Sequence, residues 1–315
     1  MQTYPDCIPC LLQQALKAIR LCGIKECHVF PVMKRILRCA TNFDPSLSPP
    51  EMAMYIHRII RKECGNADPY SEMKCQAIAA ALSHENHIRR MIAASETPFR
   101  VAVRFALVGN ILDFAIFDWN LRQLEEQLEL ALHQPIDETA LDRLENEVKS
   151  ADKIMFLGDN AGESVFDKLL IEQFGCKQVI YAVRGNPTIN DVTMADAIAS
   201  GLNKTARLLS NGSDAPGTLL ERVSADFRNE FNSADLIIAK GQGNYESLSN
   251  SDRKIFFLTQ IKCSVIARDL RRHIGDWVIA ESKKRRSIPD AESDDEIHIY
   301  LRPGSVAAAW KIVGH

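Results

Sequence analysis

Asp159 and Asn160 follow directly on an apolar run, 154–157, and on Gly158. A small-residue turn, Ala161-Gly162, separates them from Glu163 and from Val165, Phe166, Leu169, Leu170 and Phe174, which recur at helical spacing. The pattern predicts a strand, a tight loop and a helix start. The two oxygen-bearing side chains then stand at the carboxyl end of the strand, where open α/β sheets bind ligands. Hard oxygens suit a divalent cation, and the N–H groups of a helix start suit an anion. The chemistry indicated is a metal held beside a phosphate.

Two ligands do not complete a hard-cation site, although water and substrate oxygens can fill several positions. Asp191 is the best third donor, in Asn186-Pro187-Thr188-Ile189-Asn190-Asp191; it could equally cap the helical run that follows it. Lys240 ends the apolar run 236–239, where an unpaired cation is costly. It reads as a phosphate or transition-state clamp, with Gly241, Gln242 and Gly243 allowing a close backbone approach. Arg184 could make bidentate contact with phosphate or form a structural ion pair with a site carboxylate. The catalytic set is thus Asp159, Asn160, Asp191 and Lys240. Glu163, Arg184, Gly241 and Gln242 form the substrate-binding set, with Asn110 and Asp113. Those last two lie three apart on one helix face in the apolar stretch 105–117, so they either line the substrate side or bond locally. Asp214 reads as a cap for a helix starting at Pro216. Cys7 and Cys10 form a Cys-x-x-Cys at a helix start, yet no second such pair completes a zinc site, so redox, metal and buried structural roles all remain open.

These residues need elements to bring them together. Residues 1–148 read as a helical region, and 149–315 as a Rossmann-like α/β domain binding metal and phosphate. Strand runs at 154–157, 178–183, 205–210, 235–239, 255–258 and 277–280 alternate with helical segments, which predicts a mostly parallel sheet with helices on both faces. Four of those strands end in polar or glycine-rich loops, and parallel strands gather such ends along one sheet edge. The segment Lys283-Lys284-Arg285-Arg286 with the acids that follow reads as a solvated charged loop.

Composition narrows the class. The 315 residues are 46% apolar and 25% charged with a net charge of -3, which disfavours nucleic acid as the main partner. No apolar run is long enough to span a membrane, and the start lacks a secretory pattern. Nine cysteines, an odd number, suit reduced thiols, so a cytoplasmic setting is expected.

Three motifs, Gly-Asp-Asn-Ala-Gly-Glu with Phe166-Asp167, Val-Arg-Gly-Asn-Pro with Asn190-Asp191-Val192-Thr193, and Ala-Lys-Gly-Gln-Gly-Asn-Tyr-Glu, resemble the DUF89 family of ARMT1-like damage-control phosphatases. Cys-x-x-Cys, Asp-Pro-Tyr-x3-Lys and Gly-Asn-x2-Asp are similar to its smaller prokaryotic branch. The resemblance runs from about residue 5 to 280 and leaves out the tail from Lys283. It implies a helical part packed on a three-layer α/β/α core. It also implies a divalent metal (cobalt, nickel, manganese or magnesium) on Asp159, Asn160 and Asp191, and hydrolysis of a small phosphorylated metabolite, a sugar phosphate or a damaged phosphometabolite. Two alternatives stay open. One is an S-adenosylmethionine-dependent methyltransferase, against which Arg184 stands where an acid should hold the ribose. The other is a non-catalytic metal- or metabolite-binding protein.

Overall fold

Helical periodicity in the first half produces α1 (Cys7–Leu21), α2 (Glu26–Ala40), α3 (Pro49–Cys64), α4 (Ser71–Ala94), α5 (Pro98–Gly109) and α6 (Glu138–Ser150). The computed structural model describes residues 1–109, 130 and 132–282, so Asn110, Asp113 and the charged segment from Lys283 lie outside the described residues. α3 shows why its ends fall where they do. Pro49 and Pro50 occupy the first turn, where a missing N–H leaves no bond unmade, and Gly65 closes the helix in the left-handed conformation. α1, α2 and α3 share a core of their own around Ile19, Ile36, Ile56 and Ile60.

From Lys153 the chain alternates strand and helix. β1 (Lys153–Leu157), α7 (Ser164–Ile171), β2 (Gln178–Val183), α8 (Met194–Ala199) and β3 (Arg207–Ser210) come first. α9 (Ala225–Ser233), β4 (Leu236–Lys240), α10 (Gly241–Leu248), β5 (Ile255–Gln260), α11 (Ser264–Leu270) and β6 (Trp277–Glu281) follow. The sheet order is β3-β2-β1-β4-β5-β6; β6 runs antiparallel to β5 and every other pairing is parallel. β1 has β2 on one side and β4 on the other. The loops leaving β1 and β4 therefore diverge and open a crevice at their carboxyl ends.

Both faces of the sheet are covered, which is why the strands read as continuous apolar runs. Ile154, Phe156 and Ile238 pack with Ile88 of α4, Phe105 of α5 and Leu144 of α6. Their neighbours Met155, Leu157 and Ile237 point the other way, toward Phe227 of α9, Tyr245 of α10 and Ile266 of α11. Each such side chain stabilises the fold by about 1.5–3 kcal/mol. The helical half thus has two parts: α4 to α6 complete a three-layer sandwich, and α1 to α3 sit as a separately cored cap. Lys74 of α4 joins Asp68, which follows α3, to Asp196 of α8, its buried Nζ lying 2.7 Å from the first and 2.9 Å from the second. Among the described residues no helix is long and apolar enough to cross a membrane.

Candidate active site

Backbone bonds between two loops assemble the oxygen ligands. The N–H of Val192 donates to the carbonyl of Asp159 at 2.7 Å, and that of Ala161 to Asn190 at 2.9 Å. Asn160 and Asp191 then face each other as an isolated antiparallel bridge. Asp191 is not a helix cap. Thr193 holds that position on α8, with Asp196 completing a capping box, so the Asp191 carboxylate is left for other work. The loop is strained next to it: Ile189, a β-branched residue, has φ 46, which costs about 1–3 kcal/mol. Its side chain packs on the α1–α3 core, and that contact offsets the strain.

Too little positive charge surrounds these acids. Burial, then the charges of Glu163 and Asp191, push the Asp159 carboxyl well above the usual range, with Arg184 and Lys262 acting the other way. Burial also raises Asp191, and Arg184 opposes it. Crowded carboxylates that hold protons this strongly are relieved by a cation. Asn160 donates through Nδ2 to Glu163 and, at 3.3 Å, to Asp159, which leaves its amide oxygen as a ligand atom. Two carboxylates and an amide oxygen fit a hard divalent cation that takes the rest of its shell from water and substrate. Among the described residues no group of three or more Cys, His, Asp or Glu is disposed to hold a metal, so the candidate set depends on its amide member.

Lys240, expected to face phosphate, faces carboxylates in the structure, and Arg184, for which phosphate and a site carboxylate were both open, also meets a carboxylate. Lys240 is 0% exposed, and its Nζ donates to Glu163 Oε2 at 2.9 Å and to Asp167 Oδ1 at 2.7 Å. Burial works against its charge, but Asp167 and Glu163 outweigh it and hold the ammonium above its ordinary range. Arg184 directs Nε onto Asp191 Oδ2 at 2.6 Å. Asn244 supports both: its Nδ2 donates to the carbonyls of Lys240 at 2.8 Å and Gly158 at 3.2 Å, and its Oδ1 accepts from Thr218 at 2.8 Å. Gly241 has φ +77, and a Cβ there would overlap the Asp159 carboxylate, so only glycine allows this approach. Asp214 caps nothing; no helix begins at Pro216, and Arg58 and Arg61 bind the carboxylate at 2.6 and 2.5 Å.

A cavity runs from Asp159, Asn160 and Asp191 to the cap, where Cys7, Cys10 and Gln14 of α1 and Ala53 of α3 form its far wall. Gln242, Glu246, Lys262 and Cys263 line one side. Burial, first of all, keeps the Cys7, Cys10 and Cys263 thiols above their ordinary range, and Glu246 adds to it. Sequence reasoning did not assign roles to Asp167, Asn244, Lys262 and Glu246. Asp167, Asn244 and Glu246 do stand within the motif runs, whereas Lys262 follows β5, where the sequence carries no motif.

A family model described as the damage-control phosphatase ARMT1-like domain matches residues 3–278. The chain belongs to this family. Among its relatives in the family, a damage-control phosphatase of Pyrococcus horikoshii is 32% identical over 90% of this chain and 99% of its own. One of Archaeoglobus fulgidus is 32% identical over 88% of this chain and 98% of its own. A crystal structure of a DUF89 family protein from P. horikoshii superposes with a TM-score of 0.83, at 32% identity, covering 90% of this chain and 100% of that one. The six-stranded sheet and helical cap are therefore the architecture of this family of phosphatases.

Proposed function

We propose that this member of the family is a metal-dependent phosphatase that hydrolyses the monoester of a small phosphorylated metabolite, with Asp159, Asn160 and Asp191 as the metal ligands. The observation that carries the reading is the convergence of two proton-hungry carboxylates and an amide oxygen at the switch point of the sheet. Cobalt, nickel, manganese and magnesium are the candidates. When bound, such an ion polarises the phosphoryl group and acidifies water.

The chain's own residues do the rest. Arg184 fixes the orientation of Asp191, and Glu163 fixes the amide of Asn160. Lys240 pairs with both Glu163 and Asp167 and acts as a positioning residue beneath the ligands. Lys262, exposed on the cavity rim and close enough to lower the Asp159 pKa, is the cation best disposed to meet phosphate oxygens. Asn110 and Asp113 are kept as substrate-side residues on their spacing alone, and a cytoplasmic setting on composition alone. The test is hydrolysis of p-nitrophenyl phosphate by metal-stripped protein with each of the four metals added singly. Turnover should return with at least one metal, and Asp159→Ala should lower it by about two orders of magnitude or more. No turnover with any of them refutes the reading.

A further inference from the structure

Glu246 is a carboxylate on the cavity wall that the ligand set does not use. It lies on α10, whose first residue, Gly241, abuts Asp159. Five residues at about 1.5 Å per residue set Glu246 roughly 7.5 Å along the helix from that contact, comparable with the length of a short polyol chain. Gln242, Gly243 and Glu246 fall on one face of the helix, and all three line the cavity.

The carboxylate is oriented rather than loose. Gln242 accepts the N–H of Lys262 at 3.2 Å, and through Nε2 it donates to Glu246 Oε1 at 2.9 Å. Among the described residues no hydrogen-bond donor reaches Oε2; the ammonium of Met1 donates instead to the main-chain carbonyl of Glu246, at 2.6 Å. The groups facing Glu246 are the Cys7 and Cys10 thiols of α1, the Cys263 thiol ahead of α11 and, through charge alone, the Met1 ammonium. Burial lifts its carboxyl to about 7, as befits an acid lacking a strong donor. A half-satisfied acceptor on the wall of a thiol-lined cavity is completed by an O–H from the occupant.

We infer that Glu246 is a specificity-determining residue, accepting a hydrogen bond from a hydroxyl of the leaving group while phosphate sits at the ligand end. This rests on the phosphatase reading.

The test compares kcat/KM for glycerol 3-phosphate and propyl phosphate at pH 8.5, where Glu246 is ionised. Both are measured on the same metal-loaded preparation, so the ratio is unaffected by any loss of folded protein. The wild-type ratio should be about 100 or more, because a site built to bond a hydroxyl rejects the analogue lacking it. Glu246→Met should reduce the ratio at least about tenfold, whereas Glu246→Gln, which keeps an acceptor and the Gln242 contact, should retain most of it. A wild-type ratio below about three, an unchanged ratio in Glu246→Met, or phosphoethanolamine outrunning glycerol 3-phosphate overturns the assignment. p-Nitrophenyl phosphate separates the two failures. If it is not hydrolysed either, the phosphatase reading falls and takes this one with it.

Discussion

Lys240 has no solvent exposure, and both its partners, Glu163 and Asp167, lie at the start of α7, one strand away. Asp167 also accepts from the Tyr181 hydroxyl at 2.8 Å. Burial lifts its carboxyl to about 6 against the opposing pull of Lys240, so removing the ammonium leaves two acids buried without their cation. Lys240→Met should therefore destabilise the fold by about 3–5 kcal/mol in urea titration at pH 7. A loss below about 1 kcal/mol would show that the cluster does not depend on its cation. The residue types at this site were readable in the sequence, because an ammonium closing an apolar strand must be paired. Its partners were not. Nothing in a linear pattern shows whether Lys240 turns toward phosphate or toward the acids at the start of α7.

Among the elements, the strands were the most legible, since continuous apolar runs of strand length have few other uses in an α/β chain. β3 begins at Arg207 rather than 205 and β5 continues to Gln260, differences set by which neighbours offer a ladder. Asp191 was ambiguous because cap and ligand share a residue type; the capping box on Thr193 removes the cap reading, and no linear pattern reveals that pairing. α3 adds a titration that sequence does not suggest. His57 is 3% exposed, its Nε2 has no hydrogen-bond partner among the described residues, and burial followed by the charge of Arg61 lowers its pKa to about 4. The unfolded chain thus binds the proton more readily than the folded one. The stability from the neutral ring is complete above pH about 6.5 and is lost as pH falls toward 4. Urea titrations at pH 7 and 4.5 should differ by about 2–3 kcal/mol more in the wild type than in His57→Leu. Equal differences would mean that the ring is not what acid attacks.

On the scale of the whole molecule, the cavity exists only because the α1–α3 cap lies over the strand ends. Its polar ties include Lys74 to Asp68 and Asp196, Arg58 and Arg61 to Asp214, Arg61 to the carbonyl of Pro187, and Arg222 to Glu51 and Tyr55. Burial opposes the charge of Lys74, yet Asp196 and Asp68 more than restore it. Lys74→Met should speed amide exchange in α1 to α3 while β1 and β4 stay protected, since the cap has a core of its own. Uniform loss of protection would show that cap and sheet open as one. Sequence separated helical from alternating residues but not cap from sandwich layer, because both read as amphipathic helices. The proposed chemistry depends above all on where the metal binds. Anomalous scattering from crystals soaked in a manganese salt answers that directly. One ion should be bonded to Asp159, Asn160 and Asp191 in the wild type and absent from Asp159→Ala. An ion bound instead at Cys7 and Cys10, or one that persists unchanged in the variant, would contradict this placement.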